Sequence, residues 1–88
     1  MQAIEHEGAV CLSFKQLDEL NALPKGSSFR VFKRVRDGMQ EGRDYFYLSA
    51  AEHAQRIEQL RRQGLIYSTS PNLVLITERG YQYMQRYR

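Results

Sequence analysis

Residues 60–84 read LRRQGLIYSTSPNLVLITERGYQYM, and the signals in this segment predict the carboxyl-terminal part of the structure. Gly64 supplies the left-handed conformation with which many helices end. Two β-rich runs, Leu65 to Thr69 and Leu73 to Ile76, flank a Ser-Pro-Asn turn and predict a hairpin. Thr77 is a suitable N-cap for a final helix, so the segment is predicted to run helix, hairpin, helix.

The second strand of this hairpin is apolar at every position, LVLI from Leu73 to Ile76. A strand that is apolar on both faces is covered on both faces, which is typical of the middle of a sheet. We therefore expect this strand to be central in a small sheet, with Tyr81 and Met84 of the final helix facing inward.

Capping boxes predict two more helix starts. In this motif a serine hydroxyl accepts a hydrogen bond from the amide three residues on, and a Gln or Glu side chain reaches back. Ser13 with Gln16 opens a first helix that runs to about Ala22, and Ser49 with Glu52 opens a third helix. The predicted buried stripe of that third helix consists of Ala50, Ala54, Ile57 and Leu60.

A second helix is predicted between these two. Ser27 or Ser28 caps it, and Gly38 or Gly42 ends it. Its apolar residues recur every three to four positions, as one face of a helix requires. They are Phe29, Phe32, Val35 and Met39, with Val31 beside them.

Two further runs, Gly8 to Leu12 and Asp44 to Leu48, predict short strands. Together with the other elements they indicate an α+β fold of three to four helices with a small antiparallel sheet. A chain of 88 residues forms one domain with one core, so residues 1–88 are predicted to be a single unit. Residues 1–8 are expected to be flexible.

The composition excludes several classes of protein. Cys11 is the only cysteine, so an intramolecular disulfide is impossible and a cytoplasmic location is expected. No apolar run approaches the ~18 residues that span a bilayer, so no membrane association is expected. Cys11, His6 and His53 lack zinc-like spacing, and neither a phosphate loop nor a nucleophile with its base is visible. We expect no metal, cofactor, small-molecule substrate or catalytic residue.

The net charge is only +3, but the charges are segregated along the chain. Residues 25–36 contain five cations and no acid, and several of them lie opposite the apolar stripe of the second helix. A cationic helix face is suited to phosphate contacts, although an ordinary solvated face is the alternative. The predicted DNA-backbone contacts are Lys25, Arg30, Lys33, Arg34 and Arg36.

The outer side of the third helix carries side chains that can read base edges. Glutamine and arginine form paired hydrogen bonds with adenine and guanine in the major groove. The predicted base-reading residues are Gln55, Arg56, Gln59 and Arg62. A solvated helix face is an equally good reading, because Glu58 lies among these residues and arginines near a helix end favour its dipole.

Aromatic residues are numerous for so short a chain, with six tyrosines and four phenylalanines. Exposed tyrosines among arginines are able to stack on single-stranded bases. Packing in the core and sheet is the more common use of such residues. Tyr83 and Tyr87, one helical turn apart, are a candidate dimer stripe.

The order of signals in residues 60–84 resembles the second half of winged-helix DNA-binding domains. The segment EGRDYFYLSAAE, Glu41 to Glu52, looks like part of small phage-type regulators such as antirepressor N-terminal domains. These resemblances imply a winged-helix-like domain that binds double-stranded DNA and regulates transcription or recombination by occupying or bending it. Because one such module buries little surface on DNA, a homodimer is also expected.

Two alternatives stay open. The chain is also suited to be a protein-binding module, such as a phage-encoded inhibitor or adaptor, whose basic face docks on an acidic partner. Single-stranded nucleic-acid binding is the other alternative. The double-stranded DNA hypothesis requires that the cations of the second and third helices lie on the same side of the molecule.

Overall fold

The computed structural model describes residues 2–69 and 71–87. Within these ranges the chain forms four α-helices, one turn of 3-10 helix at Arg36–Gly38 and four β-strands. In chain order they are β1 (Ile4–His6), β2 (Ala9–Ser13), α1 (Phe14–Leu20), α2 (Ser27–Val35), β3 (Tyr45–Leu48), α3 (Ala50–Arg62), β4 (Leu73–Thr77) and α4 (Glu78–Gln85). The predicted α+β class with a small antiparallel sheet is confirmed.

The four strands form one antiparallel sheet in the order β1-β2-β4-β3. β4 lies in the middle, where Ile76 is opposite Leu12 of β2 on one side and Tyr45 of β3 on the other. The prediction that LVLI is a central strand is therefore confirmed.

The outer edge of β3 is partly covered by the residues just before it. The carboxylate of Glu41 accepts a hydrogen bond from the Tyr47 amide at 3.2 Å. The Gly42 amide donates to the carbonyl of Tyr45 at 2.7 Å. These two bonds occupy backbone groups that the sheet leaves unpaired at its edge.

Helices cover both faces of the sheet, and alternation along β4 determines which helix lies on which face. Leu73 and Leu75 point to one face, where they share a core with Ile57 and Leu60 of α3. Ile76 points to the opposite face, into a second core. That core also contains Leu17 of α1, Phe32 of α2 and Met84 of α4. Thus α3 packs on one face, and α1, α2 and α4 pack on the other.

Three of the predicted helix caps are observed, but the cap predicted for α2 is wrong, because the N-cap is Gly26 and both Ser27 and Ser28 lie inside the helix. The side chains of Ser13, Ser49 and Thr77 each accept a hydrogen bond from the backbone amide three residues on. Gly64 follows α3 with φ at +75°, the left-handed conformation predicted for it. The buried stripe predicted for α3 is only partly correct, because Ala54 is exposed to solvent.

The predicted strand at Leu65–Thr69 is wrong, and with it the carboxyl-terminal hairpin. Both edges of β4 are already paired, with β2 and with β3, so no edge is left for another strand. The segment instead continues from the end of α3. The Leu65 amide bonds to the Leu60 carbonyl at 3.0 Å, and Ile66 is buried in the core beside α3.

The flexible start predicted for residues 1–8 is also wrong for the part described. β1 pairs with β2, and Ile4 is only 2% exposed. Glu7 and Gly8, both at positive φ, form the tight turn between the two strands. A three-residue strand with one buried side chain is too short to give a clear alternation in sequence.

Candidate functional site

The five predicted backbone-contacting residues form one surface along α2 and its flanks. Every one of them is exposed. Among the residues described, none of the five has a carboxylate oxygen within 4.0 Å, since the ion pairs there involve other residues. We call this the basic surface; it comprises Lys25, Arg30, Lys33, Arg34 and Arg36.

Neutral groups contact four of these cations, and Arg30 donates a long hydrogen bond of 3.4 Å to the Ser27 hydroxyl. Arg34 donates a hydrogen bond to the main-chain carbonyl of Tyr87 at 3.0 Å. The ammonium groups of Lys33 and Lys25 lie over aromatic rings, 5.2 Å from the centre of Phe29 and 5.1 Å from that of Tyr67. A cation held by a carbonyl or a ring keeps its full charge, so this surface stays available to an anion.

A buried carboxylate fixes the start of α2. Asp18 of α1 is 1% exposed and accepts hydrogen bonds from the amides of Gly26 at 2.9 Å and Ser28 at 2.8 Å. It accepts a third, of 2.6 Å, from the Tyr67 hydroxyl. Burial alone would raise the pKa of Asp18, but these hydrogen bonds outweigh it and hold the pKa below its usual range. The carboxylate therefore caps α2 and complements its dipole.

The four predicted base-reading residues also lie together, on the outer side of α3. They line one shallow depression, and Glu58 lies among them. They are Gln55, Arg56, Gln59 and Arg62.

Both arginines of this set already bind other groups of the protein. Arg62 forms an ion pair with Glu58 at 3.1 Å, and Arg56 donates to the carbonyl of Glu5 at 2.7 Å. Hydrogen bonds from Arg61 and Arg62 lower the pKa of Glu58. The α3 surface is therefore partly neutralised, unlike the basic surface on α2.

The two sets of residues do not converge. α2 and α3 pack on opposite faces of the sheet, in separate cores. The expectation that their cations lie on one side of the molecule is wrong, because the central strand is apolar on both faces and each face takes its own helices. The two sets of cations therefore lie on opposite sides of the sheet.

The structure also contains an aromatic groove that was not recognised in the sequence. It lies on the α2 side of the sheet, has a volume of about 540 Å³, and is lined by six aromatic side chains. These are Phe14, Phe29, Phe32, Tyr45, Tyr47 and Tyr67. Lys25 and Arg36 of the basic surface line the same groove.

The alternation within β3 was the signal for this groove. In the run YFYL, Phe46 and Leu48 join the core beside α3, so Tyr45 and Tyr47 point to the opposite face. That face is the one on which α2 packs. Core and sheet packing was the favoured interpretation of the aromatic residues in the sequence, with base stacking as the alternative, and no face was assigned to these two tyrosines.

Tyr83 and Tyr87 contact each other, with ring centres 5.1 Å apart. Tyr83 packs mainly against the core that contains Met84, whereas Tyr87 is 48% exposed. A dimer stripe at these residues stays a prediction.

The described residues show neither a metal-binding cluster nor a membrane-spanning helix. In ranges 2–69 and 71–87, no three His, Cys, Asp or Glu side chains are grouped closely enough to hold a metal ion. Nor does that part of the chain contain a helix of the length and apolarity needed to cross a bilayer. Cys11 is a buried free thiol, and burial raises its pKa.

No protein-family model, curated protein or solved structure matches this chain. The structure has two neighbouring surfaces that are suited to different ligands. The basic surface is suited to anions such as phosphates, and the groove is suited to flat apolar rings.

Proposed function

We propose that this protein binds double-stranded DNA through the basic surface of α2, by contacts with the phosphate backbone. One observation carries the proposal. Five exposed cations lie along a single helix and its flanks, and in the described ranges no carboxylate pairs with them. Phosphate neutralisation of this kind supplies most of the affinity of nonspecific DNA binding.

A small module of this type regulates transcription or recombination by occupying or bending DNA. Because α3 lies on the far side of the sheet, the expected combination of backbone contacts by α2 and base reading by α3 is lost within one copy, and the proposal keeps only the contacts by α2. The expected homodimer would place two such surfaces on the duplex. The buried free thiol of Cys11 supports a cytoplasmic location for such a protein.

A salt series tests the proposal directly. The fluorescence anisotropy of a labelled mixed-sequence duplex is followed from about 50 mM salt upward, where nonspecific binding is visible. We expect log K to fall linearly with log salt, with a slope of about −0.9 for each phosphate contact. An anisotropy that does not change at about 50 mM salt would exclude DNA binding and favour an acidic protein partner.

Two double variants with the same net charge locate the surface. Arg30→Gln with Lys33→Gln removes two cations from α2, and Arg56→Gln with Arg62→Gln removes two from α3. The α2 variant is expected to lose about 1.8 from the magnitude of the slope, while the α3 variant keeps the slope of the parent protein. Equal losses in the two variants would contradict the assignment to α2, and a loss in the α3 variant alone would move the interface to α3. Circular dichroism checks that both variants are folded.

A further inference from the structure

The floor of the aromatic groove is a row of rings in contact. Phe14 lies between Phe29 and Phe32, with ring centres 5.6 Å and 5.3 Å away. Phe32 in turn meets Tyr45 edge to face at 5.0 Å. Because Phe32 is 3% exposed and packs in the core beside α2, this floor is firmly held.

Two rings of the groove keep large exposed surfaces. Phe29 on α2 is 45% exposed, and Tyr47 on β3 is 48% exposed. Two exposed aromatic rings that line the same groove form an apolar patch of the kind that marks interaction sites.

Positive charge surrounds these rings. Lys25 and Arg36 line the groove, and the ammonium of Lys33 lies 5.2 Å from the centre of the Phe29 ring. Glu41 is the only acid among the lining residues described, and its carboxylate is engaged by the Tyr47 amide. The complementary ligand therefore combines flat rings with negative charge.

We propose that the aromatic groove binds unpaired bases of single-stranded nucleic acid, while the basic surface contacts the phosphates on either side of them. The inference rests on the proposed function, because the same cations hold the backbone. A strand with exposed bases supplies both parts of the ligand at once: rings that stack on Phe29 and Tyr47, and phosphates for Lys25, Lys33 and Arg36.

A duplex cannot use the groove in this way. Its bases are stacked on each other and paired, so their faces are unavailable to protein rings. The groove therefore predicts that the protein prefers a single strand, or a duplex with a single-stranded extension, to a blunt duplex of equal charge.

Removal of the bases alone tests the proposal. A labelled oligothymidylate is compared with an abasic oligonucleotide of the same length, which keeps every phosphate. Stacking contributes about 1–3 kcal/mol per base, so we expect the base-bearing strand to bind roughly fivefold more tightly or better. Equal affinities for the two strands would overturn the proposal.

The chain offers a closely matched pair of variants. Tyr47 and Tyr87 are both 48% exposed, but only Tyr47 lines the groove. Tyr47→Ala is expected to lose most of the preference for the base-bearing strand, and Phe29→Ala to do the same. Tyr87→Ala keeps the preference of the parent protein. Identical behaviour of Tyr47→Ala and Tyr87→Ala would overturn the assignment of the groove.

The failures of the two proposals are distinguishable. If neither duplex nor single strand binds at about 50 mM salt, the proposed function fails and this inference with it. If duplex binds but the base-bearing and abasic strands have equal affinities, only the inference about the groove fails. Amide shifts at Phe29 and Tyr47 with an acidic, aromatic peptide, together with equal binding of base-bearing and abasic strands, would assign the groove to a protein partner instead.

Discussion

The hydroxyl of Tyr67 donates a 2.6 Å hydrogen bond to Oδ2 of Asp18, and this bond connects a wall of the aromatic groove to the start of α2. The same carboxylate caps α2 through the amides of Gly26 and Ser28. One side chain of α1 therefore positions both the helix that carries the basic surface and a ring of the groove. Four predictions follow from this and from the other buried contacts.

Asp18→Ala is expected to lower the free energy of unfolding by about 2–3 kcal/mol, because it removes a helix cap and leaves buried donors without an acceptor. Urea unfolding followed by circular dichroism measures the change. Glu19→Ala is the control, since Glu19 is the next residue of α1 and is exposed; its effect should stay within about 0.5 kcal/mol. A similar small loss for Asp18→Ala would contradict the capping role.

Stability is expected to fall on acidification. Burial would raise the pKa of Asp44, but hydrogen bonds from the Arg43 side chain and the Gln40 amide outweigh it, so the pKa of Asp44, like that of Asp18, is lowered. Carboxylates with a lowered folded-state pKa stabilise the fold fully above their unfolded pKa of about 4, and this contribution is lost as the pH falls through the folded value. Asp18→Asn should therefore flatten the dependence of unfolding free energy on pH below about pH 4. An unchanged slope in that range would contradict the prediction.

Tyr67 is expected to ionise late in an alkaline titration. Burial, and then its hydrogen bond to Asp18, raise the pKa of Tyr67 to about 12. A raised pKa favours the protonated form in the folded state. Its stabilising effect is complete below the ordinary tyrosine pKa and is lost as the pH rises through about 12. Absorbance at the tyrosinate band should show a late step whose amplitude falls in Tyr67→Phe, and an unchanged late step in that variant would contradict the prediction.

Gly80→Ala is expected to destabilise the protein even though alanine is the better helix former. A Cβ atom at Gly80 would lie 1.9 Å from the carbonyl oxygen of Asp44, so α4 would have to move away from the backbone it packs on. Such overpacking costs about 1–3 kcal/mol. Thermal unfolding should show a lower midpoint, whereas Gln82→Ala, at an exposed position of α4, should leave it nearly unchanged. A midpoint raised by Gly80→Ala would show that α4 does not pack this closely.

The local signals in the sequence were reliable at the starts of α1, α3 and α4 and at the end of α3, but not at the start of α2, where Gly26 is the N-cap. Ser13, Ser49, Thr77 and Gly64 act through bonds within a few residues, so their roles are visible in a short window of sequence. The segment Leu65–Thr69 was misassigned because its β-rich composition carries no information on whether a strand edge is free. Both edges of β4 are taken by strands that are distant in sequence.

The sequence predicted which residues of the candidate site are cationic, but not how the helices that carry them are arranged around the sheet. The cations of α2 were found from charge segregation alone, and they are exposed as predicted. Which face of the sheet each helix covers depends on long-range packing, and this separated Arg56 and Arg62 from the basic surface. The alternation of Tyr45 and Tyr47 with Phe46 shows that the two tyrosines share one face of the sheet. It does not show which helix packs on that face, so the groove could not be predicted from the sequence.

The bonds that Glu41 and Gly42 make to β3 bear on how this protein behaves at high concentration. The central strand, LVLIT from Leu73 to Thr77, is the type of uncharged, β-branched segment that forms steric zippers when it is exposed. In the folded chain it is enclosed by β2 on one side and by β3 on the other. Another molecule can therefore reach the central strand only if one of these neighbours detaches, and the bonds of Glu41 and Gly42 occupy part of the β3 edge at which a further strand would add.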